Sequence, residues 1–158
     1  MTSLQMNQEK PAKEFEMRAS ARNQLTGTVT SIRDGSVNDE IELQTASGIK
    51  IVATVTRSSR EIMALNVGVA VTALIKASAV VLVTDAEGMR FSARNQLTGV
   101  VARVNKGAVN SEVLLNLNAG EQLVAVVTNE SADNLDLAVG QAATALFKAG
   151  SAILAVKA

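Results

Sequence analysis

Apolar and polar residues alternate over short stretches of this chain, and the stretches are separated by breaks rich in Gly, Asn and Asp. In the first half, Glu40–Leu43 alternates polar with apolar residues. After a Gly-containing turn, apolar side chains occupy every second position: Ile49, Ile51, Ala53 and Val55. A period of two is typical of a strand with one buried face. With the β-prone run Val29–Arg33 before them, these segments predict three consecutive strands.

A helix and two further strands follow. Ser58 and Glu61 are spaced as in a capping box, which predicts the start of a short helix that ends near Gly68. Val69–Ile75 and Val80–Thr84 predict the fourth and fifth strands. Three strands, a helix and two strands form the order of a small OB-type barrel.

The same pattern occurs twice in the chain. Residues 20–27 read SARNQLTG, and residues 92–99 repeat this segment without a change, at an offset of 92 − 20 = 72. At that offset residues 20–84 align with 92–156 without a gap, and 30 of the 65 aligned positions are identical. Two units are too few for a solenoid, so we interpret them as duplicated domains.

The sequence therefore predicts a mostly β fold of two tandem OB-like five-stranded barrels, each with one short helix between strands 3 and 4. The predicted limits are 19–85 for the first domain and 91–158 for the second, joined by a linker that turns at Gly88. Residues 1–18 are charged and mixed in composition and are predicted to form a flexible leader.

Composition narrows the class of protein. Hydrophobic residues make up 47% of the chain, which suffices for a folded core. No apolar run approaches the roughly 20 residues that cross a bilayer. The N-terminal residues are charged where a signal peptide would be apolar. We therefore expect a cytoplasmic protein that has no membrane partner.

The residue types that are absent bear on chemistry. The chain has no Cys and no His, which excludes disulfides and thiolate metal sites and removes the commonest metal ligand and general base. We expect no enzymatic activity. The formal net charge is zero and three Phe residues are the only aromatics. The basic excess and stacking aromatics of a nucleic-acid binder are therefore missing.

The first candidate site is the SARN segment, which occurs at Ser20–Asn23 and at Ser92–Asn95. A hydroxyl, a guanidinium and adjacent backbone N–H groups suit a tetrahedral anion, because arginine offers a rigid fork of donors. The structural alternative is that Ser and Asn only shape the entry into the first strand.

Two further pairs of polar residues are repeated. Lys76 and Lys148 each follow an apolar strand, where an ammonium group is unusual without a partner, although a solvated strand end explains them equally. Ser59 and Ser131 lie beside the start of the short helix, where free N–H groups favour anions. Capping of the helix is the simpler alternative for these serines.

The last repeated feature is a polar loop, present at Gly35–Asn38 and again at Gly107–Asn110. Turn formation explains its Gly and Asn, and a direct ligand role is the alternative. The sequence contains no Gly-rich nucleotide-phosphate loop and no convincing pair of carboxylates.

The order of the SARN segments, the GAVN-type loops and the KAS-type segments after the fourth strands resembles the molbindin family, and in particular its di-Mop members. The resemblance covers both repeats and implies OB-like domains that assemble as oligomers, trimers for di-Mop chains, and bind molybdate or tungstate at contacts between domains. The positions it assigns to the oxyanion are Ser20, Ala21, Arg22, Ser59, Lys76, Ser92, Ala93, Arg94, Ser131 and Lys148. Gly150 stands where the first copy has Ser78, so the second copy lacks one hydroxyl donor.

The resemblance implies storage, buffering or homeostasis of molybdate or tungstate inside the cell, with the oxyanion as ligand and no other cofactor. The main alternative is a molybdate-sensing domain of a transcription regulator or a transporter ATPase. No helix-turn-helix or ATPase segment precedes the repeats in this sequence, which leads us to expect an independent binding protein. An OB-fold binder of single-stranded nucleic acid is a second alternative, opposed by the neutral charge and the few aromatics.

Overall fold

The structure, a computed structural model, describes residues 17–158, so the predicted leader lies outside the described residues except for its last two. The strands are β1 (Asn23–Arg33), β2 (Asn38–Thr45), β3 (Lys50–Thr56), β4 (Ala70–Ile75), β5 (Val81–Val83), β6 (Asn95–Lys106), β7 (Asn110–Leu117), β8 (Gln122–Thr128), β9 (Ala142–Phe147) and β10 (Ala152–Ala155). The helices are α1 (Arg57–Ile62) and α2 (Asn129–Asn134), and a 3-10 turn lies at Ala77–Ala79 and at Ala149–Ser151.

Each repeat has three strands, a short helix and two strands, so the predicted mostly β fold with two five-stranded units is confirmed. The predicted linker turn is also present: Gly88 has φ +78°, and the N–H of Met89 donates to the carbonyl of Ala86. Within residues 17–158 neither helix exceeds six residues, which is far short of the length that crosses a bilayer.

The strand order shows an exchange that the repeat did not predict. The first sheet runs β10-β4-β1-β2-β3, and the second runs β5-β9-β6-β7-β8. The fifth strand of each repeat therefore completes the sheet of the other, with Ala152 opposite Ile75 and Val81 opposite Leu146. The limits 19–85 and 91–158 stay predictions for the two repeats, because neither sheet is formed by one continuous range.

The first strand of each repeat is longer than the sequence predicted. β1 begins at Asn23, six residues before the predicted start at Val29, and its inward positions include the buried Asn23 and Leu25. An asparagine at an inward position interrupts the alternation of apolar and polar residues, so the sequence pattern does not predict a strand there. A Cβ at Gly27 would meet the carbonyl oxygen of Gln44 at 2.4 Å, so only glycine allows the two strands to pair this closely.

The start and the end of the first helix also differ from the sequence prediction. Thr56, not Ser58, is the N-cap: its Oγ1 accepts a hydrogen bond from the backbone N–H of Ser59 at 3.0 Å. The predicted capping box at Ser58 is wrong because β3 runs on to Thr56 and places Ser58 inside the first turn. The helix ends at Ile62, well before Gly68, and Ala64 has φ +52°.

Buried apolar side chains of both repeats form one continuous core. The exchanged strands contribute to it through Leu82 and Leu154, which are 6% and 7% exposed. The pairing of the long first strands shifts register near Thr30 and near Ala102, and such bulges bend and twist a strand. Each sheet curls around its share of the core, so the two repeats fold as one body.

Candidate functional site

The asparagine of each SARN segment joins the two repeats. The side-chain amide of Asn23 donates to the carbonyl of Val124 at 2.8 Å and accepts from the N–H of Val124 at 2.7 Å. Asn95 makes the same pair of bonds to Val52, both at 2.8 Å. Both asparagines are buried. The structural alternative that the sequence left open therefore applies to Asn, whose amide extends the edge of the neighbouring strand.

The arginine of each SARN segment also reaches the other repeat. The guanidinium of Arg22 donates to both carboxylate oxygens of Glu112, at 2.7 and 3.2 Å. Arg94 donates to one carboxylate oxygen of Glu40 at 2.5 Å. Hydrogen bonding from Arg22 lowers the pKa of Glu112, and the bond to Glu112 raises the pKa of Arg22. Half of the Arg22 side chain stays exposed, so the pair is open to solvent.

The two lysines lie beside these arginines. Asn23 pairs with Ile75 in the ladder between β1 and β4, so Arg22 and Lys76 continue that ladder on adjacent strands. Asn95 pairs with Phe147 in the same way and places Lys148 beside Arg94. Both lysines are exposed, and within residues 17–158 neither has a hydrogen-bond or ion-pair partner for its ammonium group. Each repeat therefore holds two cationic side chains at one end of its sheet.

Each lysine also marks the point where the chain crosses to the other sheet. The 3-10 turn Ala77–Ala79 begins directly after Lys76 and packs against β8 of the second repeat. The turn Ala149–Ser151 after Lys148 packs against β3 of the first repeat in the same manner. The cations therefore lie at the seam between the repeats.

The hydroxyl of each serine near a helix start accepts one hydrogen bond, which leaves its own hydrogen free. Thr56 Oγ1 donates to Ser59 Oγ at 3.0 Å, and Thr128 Oγ1 donates to Ser131 Oγ at 2.9 Å. The serine hydroxyls can therefore still donate to an anion. Their backbone N–H groups are already used by the threonine caps.

The structure brings the arginine and the lysine of one repeat together, but it does not join them to the helix-start serine of the same repeat. Ser20 is exposed and Ala21 is half-buried before β1, and no contact within residues 17–158 joins Arg22 to Ser59. In the second repeat Ser92 is exposed and Ala93 is half-buried in the same way. The arrangement of the arginine contacts is instead reciprocal across the seam.

The pairing register of the strands shows in which direction the first SARN segment runs. Asn23 binds the backbone of Val124, and Arg22 binds Glu112, whose ladder partner is Val126. The chain preceding Asn23 thus runs along β8 towards Thr128, which caps α2. This direction leads to the helix start of the other repeat.

The polar loop Gly35–Asn38 surrounds a charged cluster that the sequence did not single out. Asp39 is fully buried, and its carboxylate accepts from Arg57 Nε and Nη2, both at 2.9 Å, and from Arg60 at 3.1 Å. The N–H of Gly35 donates to it at 2.9 Å. Hydrogen bonds from Arg57 and then Gly35 hold the pKa of Asp39 far below its ordinary value. Arg57 and Arg60 are partly exposed, so they cover Asp39 near the surface.

The second repeat replaces this charged cluster with neutral groups. Ser111 stands in the place of Asp39 and donates to the side-chain oxygen of Asn129 at 2.6 Å. Asn129 in turn donates to the carbonyl of Gly107 at 2.9 Å, as Arg57 does to the carbonyl of Gly35 at 2.7 Å. Both loops are thus held to the start of the helix by side-chain hydrogen bonds. The only sequence feature that marks this cluster is the replacement of its charged residues by uncharged residues in the second repeat.

The donor groups at the seam suit an anion. Arginine and lysine supply charge, and serine supplies a hydroxyl, whereas metal cations need acceptor ligands such as carboxylate and imidazole. Within residues 17–158 no cluster of three or more Asp and Glu side chains is placed to hold a metal ion.

The TOBE domain family matches the chain twice, at residues 19–82 and 92–154. The molybdenum-pterin-binding protein MopA of Rhodobacter capsulatus is 48% identical over 140 residues, which is 89% of this chain and 53% of MopA. The molybdenum transport protein ModE of Herbaspirillum seropedicae is 47% identical over 141 residues, which is 89% of this chain and 52% of ModE. The chain thus spans about half the length of the curated relatives it matches.

A solved structure matches over its full length. The cytoplasmic molybdate-binding protein ModG, solved with molybdate bound, aligns with a TM-score of 0.86 and 42% sequence identity. The match covers 89% of this chain and 100% of the ModG chain. This chain therefore has the fold of ModG.

Proposed function

The chain belongs to the TOBE-domain family, and from that premise we propose that it binds molybdate or tungstate and serves in molybdenum homeostasis. The observation that carries the proposal is the grouping of Arg22 with Lys76, and of Arg94 with Lys148, at the seam between the repeats. The full-length match to ModG supports the same ligand class. The proposed function is binding without a chemical step.

Each proposed site takes residues from both repeats. The first consists of Ser20, Ala21, Arg22 and Lys76 with Ser131 of the second repeat. The second consists of Ser92, Ala93, Arg94 and Lys148 with Ser59 of the first repeat. The direction of the SARN segment along β8 supports this grouping, because it leads towards the helix that carries Ser131.

The charge and hydrogen-bonding capacity of these groups match a tetrahedral dianion. Arg and Lys balance two negative charges, and the hydroxyl and backbone N–H groups set the orientation. Hydrogen bonds to charged groups contribute about 1.5–3 kcal/mol each. Several of them, after desolvation and ordering costs, suffice for micromolar affinity. A monohydrogen phosphate carries a proton that a site made only of donors cannot accept, so phosphate is disfavoured.

Assembly into a homotrimer is part of the proposal. Exposed apolar side chains occur at matching positions of the two repeats: Val37, Val67, Val81, Val109, Val139 and Ile153, each at least 57% exposed. Large apolar groups exposed twice in the same places are typical of a surface that another chain covers. Sedimentation equilibrium measures the number of chains in the assembly, and a monomer that still binds molybdate would contradict the trimer.

The test of the proposed function is calorimetric titration with molybdate, tungstate, sulfate and phosphate. We expect saturable binding of molybdate and tungstate, and loss of at least tenfold in affinity for the double variant Arg22→Ala/Arg94→Ala. The variant Lys50→Ala removes an exposed positive charge whose ladder partner is Gln44, four positions from the Glu40 that Arg94 binds, and should leave affinity unchanged. Equal loss in both variants, or no heat with the unaltered protein, would contradict the site.

A second candidate is the ligand-sensing part of a molybdate-responsive regulator. The DNA-binding transcriptional dual regulator ModE of Escherichia coli is 34% identical over 142 residues, which is 53% of its length. Under this alternative the same molybdate binding would control an attached domain. An open reading frame that continues into a helix-turn-helix segment in the genomic sequence would favour the regulator over the independent binding protein.

A further inference from the structure

The arginine of each proposed oxyanion site is already bound by a carboxylate. Glu112 receives two hydrogen bonds from Arg22, and Glu40 receives one from Arg94. Glu40 and Glu112 are equivalent positions of the repeat, separated by 72 residues. Each glutamate therefore lies across the seam from the arginine that it binds.

The Arg22–Glu112 contact uses the donors that a tetrahedral oxyanion would use. Two guanidinium nitrogens face two carboxylate oxygens, which is the fork geometry by which arginine also holds phosphate-like anions. A guanidinium has five N–H donors, and the bonds to Glu112 use its Nη1 and Nη2 nitrogens. An oxyanion in this position competes with the carboxylate for the same hydrogens.

The pair is accessible enough for exchange. The side chains of Arg22 and Glu112 are 50% and 37% exposed, and those of Arg94 and Glu40 are 46% and 30% exposed. Exposed ion pairs are weak, so a dianion with the neighbouring lysine to assist it can displace the carboxylate. Lys76 and Lys148 have no partner within residues 17–158 and supply that assistance.

We propose that Glu112 and Glu40 are internal competitors of the oxyanion, which occupy the arginines in the empty protein and must leave when the anion binds. This inference rests on the proposed function and assigns a further specificity-determining residue to each site. A freed carboxylate next to a dianion adds repulsion, so the glutamates weaken binding both before and after displacement.

The two sites differ in the strength of this competition. The anion displaces two hydrogen bonds at Arg22 and one at Arg94. Binding at Arg94 should therefore be tighter, and the first equivalents of anion should fill that site. Anions that bind arginine too weakly to displace the carboxylate are excluded from both sites.

The experiment is titration of the full chain with sodium molybdate, comparing the unaltered protein with Glu40→Gln/Glu112→Gln. Glutamine keeps the size of the side chain and removes the charge. We expect affinity to rise by roughly threefold to tenfold, since an exposed ion pair and a like-charge contact are lost. The single variant Glu112→Gln should gain more than Glu40→Gln. The variant Glu87→Gln makes the same side-chain change in the exposed linker, with no hydrogen bond to either arginine within the described residues, and should show no gain.

The shortened carboxylate provides a second variant. Glu40→Asp/Glu112→Asp keeps the charge, but the side chain no longer spans the distance to the arginine, so we expect an intermediate gain. Unchanged or weaker binding in the glutamine variant, with molybdate binding intact in the unaltered protein, would overturn the competition and leave the proposed function standing. No molybdate binding in the unaltered protein and in every variant would instead overturn the proposed function.

Discussion

The charged cluster around Asp39 distinguishes the first repeat from the second at the scale of single residues. Asp39, Arg57 and Arg60 hold the first loop by charge, whereas Ser111 and Asn129 hold the second by neutral hydrogen bonds. The two copies share a backbone arrangement here and differ in the chemistry that stabilises it. The duplication therefore allows two ways of holding the same loop, one charged and one neutral, to be compared within one molecule.

Stability should depend on pH through Asp39. Its folded pKa lies below the unfolded value, so the folded state binds fewer protons and the contribution is complete above the unfolded pKa. It declines as the pH falls below about 4, the ordinary carboxyl value, towards the lower folded pKa. We expect Asp39→Asn to be clearly destabilising at pH 7 and the difference from the unaltered protein to shrink between about pH 5 and pH 3.

Urea unfolding at a series of pH values measures this effect. Glu112, whose pKa Arg22 also lowers, contributes acid sensitivity that Asp39→Asn leaves intact, so some pH dependence should remain. Ser111→Ala is the matched variant in the second repeat, and its effect should not vary with pH in this range. A constant difference between Asp39→Asn and the unaltered protein at every pH would contradict the assignment.

The residue types of the SARN segment predicted an anion site. They could not predict the contacts of Arg22 and Asn23, because the partners of both residues lie far away in the sequence. Arg22 lies 90 residues from Glu112, and Asn23 lies 101 residues from Val124. The repeat marks these residues as retained in both copies without showing what they contact. The role of Asn23 as a link between strands follows only from its burial and its bonds to backbone.

At the scale of elements, the helix starts show why local patterns misplace a boundary. Ser58 and Glu61 have capping-box spacing, yet the extended backbone ends two residues earlier, at Thr56. The matching threonine, Thr128, caps α2, where position 130 is Glu and no serine stands in the place of Ser58. Identity between the copies at the threonine was the sequence signal for the correct cap.

Replacing the cap tests this boundary. Thr56→Ala removes the oxygen that accepts from the N–H of Ser59 and should lower the free energy of unfolding by about 1 kcal/mol. Ser58→Ala, in the first turn and exposed, should change it by less than about 0.5 kcal/mol. Denaturant titration of both variants measures the difference. A larger cost at Ser58 than at Thr56 would restore the capping box.

At the scale of the whole molecule, the exchanged strands make each repeat dependent on the other. Leu154 lies in β10 and opposite Ala73, so a residue near the C-terminus packs in the core of the first sheet. Leu154→Ala should cost about 2–5 kcal/mol and should reduce hydrogen-exchange protection in β4. Ile153→Ala, on the neighbouring residue whose side chain is 59% exposed in the single chain, is the comparison and should affect β4 less than Leu154→Ala.

The result would be opposite if each repeat were closed by its own fifth strand. Loss of protection from Leu154→Ala would then appear in β9 and leave β4 unchanged. The sequence gives no sign of the exchange, because β5 and β10 occupy equivalent positions of the repeat and either strand fits beside β4 or β9 by its apolar pattern. Strand number and order within a repeat could be predicted from periodicity, whereas the choice of partner depends on the path of the chain after Lys76 and Lys148.

The strand exchange also affects when each sheet can form while the protein is synthesised on the ribosome. Synthesis proceeds from the N-terminus, yet the first sheet needs β10, which follows every other strand of the two repeats in the chain. Until then β4 presents an open edge, and open edges recruit strands from other chains. The first sheet is therefore complete only after the second repeat has been synthesised, and an mRNA truncated before codon 152 would yield a chain with an exposed edge at β4 rather than a stable half-molecule.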